Sequence, residues 1–243
     1  QGPINTQLLK EYSLVDRRFC PLAMALKHFC KLNGVIGSDG SKLSSYAVLL
    51  MLVFFLQREK VLPNLQAGAN GGNIVDGVDC SFHRAGGWQS KNTCNVETLF
   101  FQFFYYYRYM FDYEHDMISI RRNIASRPAP VKKAREDLPP FNWLNWSHKP
   151  HSKKKILAKY FTWKCGQSPL MIEDPFELHR NLSEHLSQFH FESILKIFEK
   201  ATQVKFKLNA KIGSGAIQKN WRSNQQKKNL NQQKKNSNQQ KKN

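Results

Sequence analysis

An apolar run, residues 46–56, constrains the fold more than any other part of the chain. It is eleven residues long, which is too short to cross a bilayer as a helix, and we therefore expect no membrane-spanning segment. A helix that is apolar on every side lies in a protein core. Because Ser44 can cap its start and Pro63 stands beyond its end, we predict a core helix over residues 44–58.

Other parts of the chain place apolar residues three and four positions apart, which is typical of helices with one buried face. We predict such helices over residues 5–12, 15–33, 97–113 and 177–201. Residues 66–94 are rich in glycine and predict irregular structure. Because strand signals are few, the sequence indicates a mainly α domain with long polar insertions.

The charge of the chain is strongly positive, with 37 basic and 18 acidic residues and a net charge of +19. Residues 219–243 carry eight basic residues and no acidic one, and three copies of Asn-Gln-Gln-Lys-Lys-Asn. With so little to bury, we predict that this tail is disordered. It is either a phosphate-binding arm that ignores sequence or a solvated extension. Without it the remaining chain still has a charge of +11, which favours an anionic partner such as RNA.

A second basic stretch covers residues 121–164, where only Glu136 and Asp137 are acidic. Several prolines between residues 127 and 151 predict an irregular loop. Trp143 and Trp146 interrupt its charges. They either stack on unpaired bases or anchor the loop to the rest of the protein.

No motif in the chain indicates a catalytic or metal centre. The five cysteines include no CxxC pair, which argues against a disulfide scaffold or a structural zinc site. Reduced thiols and the lack of a secretory signal predict a cytoplasmic protein, with a nuclear location as the alternative. Phosphate-binding glycine loops and a nucleophile-elbow pattern do not occur. We assign no catalytic residue and no metal ligand to the chain.

Several polar signals do stand at or near predicted helix starts, and each has an ordinary explanation. Asn5 and Ser44 would suit N-caps. Lys27 and Lys31 lie one turn apart and could form a solvated face. Tyr46, at the start of the core helix, could pack in the core.

In their order along the chain, these signals resemble the terminal uridylyltransferases and the non-canonical poly(A) polymerases. The resemblance is to their helical central domain with its PAP-associated region, and covers residues 4–205. The motifs that carry it are Asn5-Thr6-x-Leu8-Leu9, Asp16-Arg17-Arg18, Leu26-Lys27-x-Phe29-x-Lys31, Leu43-Ser44-Ser45-Tyr46, Leu62-Pro63-x-Leu65-Gln66, Phe111-Asp112-Tyr113, Ile118-Ser119-Ile120-Arg121, Ile172-Glu173-Asp174-Pro175-Phe176-Glu177 and Asn181-Leu182. It implies the mainly α fold of the nucleotidyltransferase and poly(A) polymerase superfamily.

The resemblance implies that the chain binds a nucleoside triphosphate. Asn5 and Thr6 would contact the sugar and the base. Lys27, Lys31 and Ser45 would hold the triphosphate, which suits two lysines on one helix face beside a helix N-terminus.

The resemblance also implies a base-binding set. Tyr46 would stack on the base, and Asp174 and Glu177 would help to read its edge. Uridylyl enzymes commonly carry a histidine six residues after this aspartate, where this chain has Arg180, with His179 beside it. Arg180 therefore belongs to the candidate site, and the choice between UTP and ATP stays open, with UTP favoured.

The family joins nucleotides to RNA 3′ ends with Mg²⁺ or Mn²⁺ held by a palm domain that precedes the helical part. Its acidic residues have no counterpart in this chain, so we expect the chain alone to be inactive, as a fragment of such an enzyme. The alternative is a palm-less basic module that binds RNA or a protein without catalysis. A third interpretation is a structural RNA-binding protein whose tail does the binding.

We predict two regions in the chain. Residues 1–218 would form the helical central domain with its PAP-associated region, with insertions near residues 67–94 and 123–158. Residues 219–243 would form the basic low-complexity tail.

Overall fold

A computed structural model describes residues 2–38, 41–69, 71–113, 116–122, 168–178 and 180–212. In this part the protein is mainly helical, as the sequence predicts. The helices are α1 (Gly2–Val15), α2 (Phe19–Leu32), α3 (Ser45–Arg58), α4 (Val96–Tyr105), a π-helical turn (Tyr106–Met110) and α5 (Gln188–Ile212). Two short strands, β1 (Ile74–Val75) and β2 (Val78–Asp79), form an antiparallel hairpin. No helix among these residues is both long enough and apolar enough to cross a bilayer.

The chain divides into two units, residues 1–200 and residues 201–243. In the second unit the described residues, 201–212, are helical. The predicted tail, residues 219–243, and the predicted insertion near residues 123–158 lie outside the described residues. The predicted boundary at residue 218 stays a prediction.

Helix α3 is the core helix that the apolar run predicts. The Ser44 hydroxyl accepts a hydrogen bond from the backbone N–H of Ala47 at 3.0 Å, which satisfies one of the free donors of the first turn. Along α3, nine of the fourteen residues are buried. The helix ends at Arg58, and Lys60 adopts a left-handed backbone with φ of 58°. Both predicted ends are therefore confirmed.

Helix α2 packs between α3 and α4 through aromatic and aliphatic side chains. Leu22, Leu26 and Cys30 are buried on the face that the sequence spacing predicts. The ring of Phe29 contacts that of Phe104 on α4, with centroids 4.7 Å apart. Such tilted aromatic pairs add to the stabilisation that comes from apolar burial.

The predicted helix over residues 97–113 is shorter and less regular than expected, because α4 passes into the π-helical turn. The backbone N–H of Phe111 donates to the carbonyl of Tyr106, five residues earlier, at 3.0 Å. The Tyr113 hydroxyl donates to the carbonyl of Tyr107, which a continuing α-helix would have paired with the Phe111 N–H. A tyrosine beyond the helix thus replaces a helical hydrogen bond, which the spacing of apolar residues does not reveal.

The predicted helix over residues 177–201 begins only at Gln188, so its predicted start is wrong. The side-chain oxygen of Asn181 accepts hydrogen bonds from the backbone N–H groups of Ile172 and Ser183, at 3.0 and 3.1 Å. Short polar side chains that bond to the backbone in this way favour turns over helix. The helix then starts after Ser187, whose hydroxyl accepts from the backbone N–H of His190 at 3.3 Å.

A buried hydrogen-bond cluster around Gln57 joins α3 to α1 and to two loops. Gln57 Nε2 donates to the Tyr12 hydroxyl oxygen at 3.0 Å and to the Ile120 carbonyl at 2.8 Å. The same hydroxyl oxygen lies 3.4 Å from the backbone N–H of Leu65. Because Tyr12 and Ile120 are fully or almost fully buried, these polar groups have little access to water.

We predict that Tyr12→Phe lowers the free energy of unfolding by ~1–3 kcal/mol, because it leaves buried donors on Gln57 and Leu65 without this acceptor. Chemical denaturation of the full chain measures the change. Ser13→Ala is the matched control, since the neighbouring Ser13 hydroxyl donates only to the Lys10 carbonyl at an exposed position. Equal stability of the Tyr12→Phe variant and the control would show that the cluster does not stabilise the fold.

Candidate nucleotide site

A tight turn over residues 174–177 is built around the side chain of Asp174. Its Oδ1 accepts hydrogen bonds from the backbone N–H groups of Phe176 and Glu177, each at 3.0 Å. The turn is closed by Arg180, whose N–H donates to the Glu177 carbonyl at 2.7 Å and whose carbonyl accepts from the Asp174 N–H at 3.2 Å. Asp174 is buried, with 2% of its surface exposed. The backbone thus fixes a carboxylate at the start of the turn.

The residue before this turn is held by an ion pair. The buried carboxylate of Glu173 accepts from Arg121 Nε and Nη2 at 3.1 and 3.0 Å, and from the Ser119 hydroxyl. A parallel bridge between Ile118 and Ile172 aligns the two segments. A bidentate arginine–carboxylate pair has a fixed geometry, so it holds the approach to the turn in place.

Tyr46, the second residue of α3, shares an electrostatic environment with this turn. Burial raises the pKa of the Tyr46 phenol, the negative charge of Asp174 raises it further, and Glu177 adds to the effect while Arg180 opposes it. The phenol therefore stays neutral at physiological pH and keeps a proton to donate. Its oxygen is buried and has no hydrogen-bond partner in the part of the chain that the structure describes.

The two carboxylates of the turn differ in exposure and in their partners. Burial raises the pKa of the Asp174 carboxyl, against the lowering effect of the two backbone N–H groups and of Arg180. Glu177 instead pairs with Arg180, with Oε2 and Nη1 3.2 Å apart. The Arg180 side chain is 53% exposed, so this pair is screened by water and adds little stability.

Lys27 and Lys31 are exposed on α2, one turn apart. Neither lysine has an ion pair with a described residue. Ser45 is the first residue of α3 and is half-buried. Two unpaired ammonium groups and a helix N-terminus suit an anion with several charges.

Asn5 and Thr6 lie inside α1, because that helix begins at Gly2. The interpretation of Asn5 as an N-cap is therefore wrong. The Asn5 side-chain oxygen is buried without a hydrogen-bond partner among the described residues. The Thr6 hydroxyl is exposed and donates to the Gly2 carbonyl at 2.9 Å.

The structure thus brings four of the nine candidate residues together. The charges of Asp174, Glu177 and Arg180 all act on the phenol of Tyr46. The other five lie on α1, on α2 and at the start of α3. Among the described residues, no hydrogen bond or ion pair joins these five to the turn. They are Asn5, Thr6, Lys27, Lys31 and Ser45.

Comparison with known proteins identifies the relatives of the chain. Residues 95–180 match the PAP_assoc family model, described as Cid1 family poly A polymerase. Poly(A) RNA polymerase cid13 of Schizosaccharomyces pombe is 35% identical over 49% of this chain and 22% of its own length. Terminal uridylyltransferase cid1 of the same yeast is 28% identical over 75% of this chain and 43% of its own. A solved structure of a Cid1 poly(U) polymerase variant bound to MgATP superimposes with a TM-score of 0.62 at 25% identity, covering 82% of this chain and 54% of that one.

The chain is a relative of the terminal uridylyltransferases and non-canonical poly(A) polymerases. The resemblance that the sequence motifs indicate is thereby confirmed, as is the helical fold of this nucleotidyltransferase superfamily. The chain spans less than half the length of the two curated relatives, 22% and 43%.

Two contacts of this candidate site were not predicted from the sequence. Gln66 Nε2 donates to the Pro175 carbonyl at 3.0 Å, and the rings of Phe82 and Phe176 lie 6.3 Å apart. Gln66 stands in one of the family motifs, but the motif gives it no role. Phe82 lies in the glycine-rich stretch, where no local pattern indicates a distant partner.

No group of three or more His, Cys, Asp or Glu side chains that could hold a metal ion occurs among the described residues. His179 lies outside the described residues. His185 is exposed and lies 3.3 Å from Glu184.

We predict that Asp174→Ala lowers the free energy of unfolding by ~1–3 kcal/mol, because Phe176 and Glu177 lose their hydrogen-bond acceptor. Asp174→Asn is the matched variant, since its side-chain oxygen can accept both bonds without the charge. Urea denaturation at neutral pH compares the two. A loss of equal size in both variants would mean that the charge and not the turn geometry matters.

The stability of the wild type relative to Asp174→Asn should depend on pH. Because the folded pKa of Asp174 lies above its ordinary value of 3.8, the unfolded chain loses this proton first as the pH rises. The wild type should therefore match the variant below the unfolded pKa and lose stability relative to it as the pH rises through the folded pKa. Denaturation from about pH 3 to about pH 7 tests this, and a pH-independent difference would contradict it.

Proposed function

We propose that this chain is the nucleotide- and RNA-binding part of an RNA 3′-terminal nucleotidyltransferase, and its overall resemblance favours a uridylyl over an adenylyl enzyme. The observation that carries the proposal is the buried, unpartnered hydroxyl of Tyr46 beside the carboxylates of Asp174 and Glu177. A buried hydroxyl without a partner costs ~1–3 kcal/mol. Such a group calls for an explanation, and a ligand that completes its hydrogen bonds supplies one.

In this proposal a nucleobase stacks on the ring of Tyr46, at the start of α3. The carboxylate of Asp174 accepts a hydrogen bond from an N–H group on the edge of the base. Uracil offers the ring N–H and adenine offers the exocyclic amine, so both bases can satisfy an acceptor. Glu177 and Arg180, which lie beside Asp174, would determine whether the site prefers uracil or adenine.

The triphosphate would lie along the exposed face of α2. Lys27 and Lys31 would neutralise its charge, and the Ser45 hydroxyl and the first backbone N–H groups of α3 would donate hydrogen bonds to its oxygens. Asn5 and Thr6 would contact the sugar and the base. The unpartnered Asn5 oxygen is free to accept from a sugar hydroxyl.

Transfer to RNA needs a divalent metal, Mg²⁺ or Mn²⁺, held by several carboxylates. The described residues do not fit that requirement, and no step is assigned to a metal in this chain. Its own residues bind and orient the nucleotide for an RNA 3′ hydroxyl that attacks the α-phosphate, with pyrophosphate as the leaving group. A net charge of +19 favours association with RNA through its phosphates.

We predict that Lys27→Ala weakens the binding of UTP or ATP by ~1–3 kcal/mol, as expected for a lost charge-assisted hydrogen bond. Lys196→Ala is the matched control, because Lys196 is an exposed lysine on α5 that has no place in the site. Calorimetric titration of each variant measures the difference. Equal affinities of the two variants would show that Lys27 does not contact the triphosphate.

Tyr46→Ala should lose stacking worth ~1–3 kcal/mol of nucleotide affinity together with the hydrogen bond of the hydroxyl, whereas Tyr46→Phe should keep the stacking and lose only that hydrogen bond. If Tyr46 only packs in the core, Tyr46→Ala would instead lower the melting temperature of the ligand-free protein without changing nucleotide affinity. Thermal melts and titrations with UTP and ATP distinguish the two. No nucleotide binding by the wild type would favour the palm-less protein- or RNA-binding module.

Arg180→His should shift the preference of the site toward UTP, because a histidine at this position is typical of uridylyl enzymes. The ratio of the UTP and ATP dissociation constants, measured for wild type and variant, gives the result. An unchanged ratio would remove Arg180 from the base site.

A further inference from the structure

Residues 65–69 and 71–83, here called the hairpin segment, begin and end beside each other. The backbone N–H of His83 donates to the Leu65 carbonyl at 2.7 Å, and His83 Nε2 lies 3.0 Å from the Ala67 carbonyl. At its far end β1 and β2 are joined by Asp76 and Gly77, whose φ values of 52° and 78° suit a tight hairpin turn. The ends of the segment are therefore fixed relative to each other.

Both ends of the hairpin segment contact the middle of the 174–177 turn. At one end Gln66 Nε2 donates to the Pro175 carbonyl at 3.0 Å. At the other end the Phe82 ring meets the Phe176 ring at 6.3 Å, with the planes inclined by 45°. Phe176 is buried, with 5% of its surface exposed. Pro175 and Phe176 are the two residues between Asp174 and Glu177.

We propose that Gln66 and Phe82 are positioning residues that hold the base-reading turn in place and thereby determine which base the site prefers. Asp174 and Glu177 cannot shift independently of the two residues between them, which the hairpin segment holds by a hydrogen bond and a ring contact. This inference rests on the function proposed above. It assigns to a glycine-rich stretch a role in base selection.

The Gln66 hydrogen bond and the Phe82 ring contact differ from the ion pair between Glu173 and Arg121 in which residues they hold. That pair holds the chain before the turn, at Glu173, and involves none of the residues 174–177. The Gln66 hydrogen bond and the Phe82 contact act on the residues within the turn. Their loss should therefore change the reading of the base edge and leave the triphosphate contacts of Lys27 and Lys31 unchanged.

The experiment compares the full chain with Gln66→Leu, which removes the donor at similar size, and Phe82→Ala, which removes the ring. Phe82→Tyr keeps the ring and serves as the conservative rescue. Ile74→Ala is the matched control, because Ile74 lies in β1 and is 56% exposed. For each protein, titrations give the affinities for UTP, ATP and inorganic tripolyphosphate, and a thermal melt gives the stability.

We expect the ratio of UTP to ATP affinity to move toward one by about 3- to 10-fold in Gln66→Leu and Phe82→Ala, the scale of one lost hydrogen bond or packing contact. Tripolyphosphate affinity should stay unchanged in both. Phe82→Tyr and Ile74→Ala should keep the wild-type ratio.

Three results would overturn the proposal while leaving the proposed function intact. They are an unchanged ratio in both variants, an equal loss of affinity for all three ligands, and a wild-type ratio of one. If the wild type binds neither nucleotide, the proposed function fails and this inference fails with it. A lower melting temperature with an unchanged ratio would show that the two residues only stabilise the fold.

Discussion

The fold and the candidate site both depend on the buried side chain of Gln57. Its amide group joins α3 to the Tyr12 hydroxyl on α1 and to the Ile120 carbonyl. Ile120 belongs to the short segment whose Ile118 pairs with Ile172, two residues before the turn over residues 174–177. Because the carboxamide is buried, these bonds are shielded from water, and replacing one partner leaves an unsatisfied group. One end of α3 therefore holds the segment on which the turn is built.

The other end of α3 supplies Tyr46 to the same site. Eleven residues separate Tyr46 from Gln57, which corresponds to roughly 16 Å along a straight helix. A buried helix with apolar contacts on all sides is a stiff spacer. The Tyr46 ring and the Asp174 carboxylate are thus both positioned by one rigid helix, although they are far apart in sequence.

Sequence patterns predicted the parts of the fold that local chemistry determines. The apolar run, Ser44 and the stop near Arg58 gave α3 correctly, because capping and burial are local properties. The late start of α5 could not be predicted, since it depends on a hydrogen bond that the Asn181 side-chain oxygen accepts from the backbone N–H of Ile172, nine residues away. The π-helical turn depends on Tyr113, which lies beyond the helix.

In the candidate site, too, sequence motifs predicted some residues, whereas contacts between residues far apart in sequence were not predicted. A resemblance to known motifs selected Tyr46 and Asp174, and the structure finds them within one electrostatic environment. The hydrogen bond from Gln66 to Pro175 spans 109 positions, and no local pattern of either residue indicates it. Contacts of this length arise from the packing of helices and loops, so spacing alone does not reveal them.

The site is held in shape before any nucleotide binds. The backbone of the turn already satisfies Asp174, and Glu173 is already paired with Arg121. Five buried side-chain oxygens have no partner among the described residues, and those of Asn5 and Tyr46 belong to the candidate site. A ligand that satisfies these two groups gains their hydrogen bonds without the entropy cost of ordering the turn. The free energy of binding would therefore come chiefly from groups that the fold already holds in place, and the selectivity from how firmly the turn keeps its position.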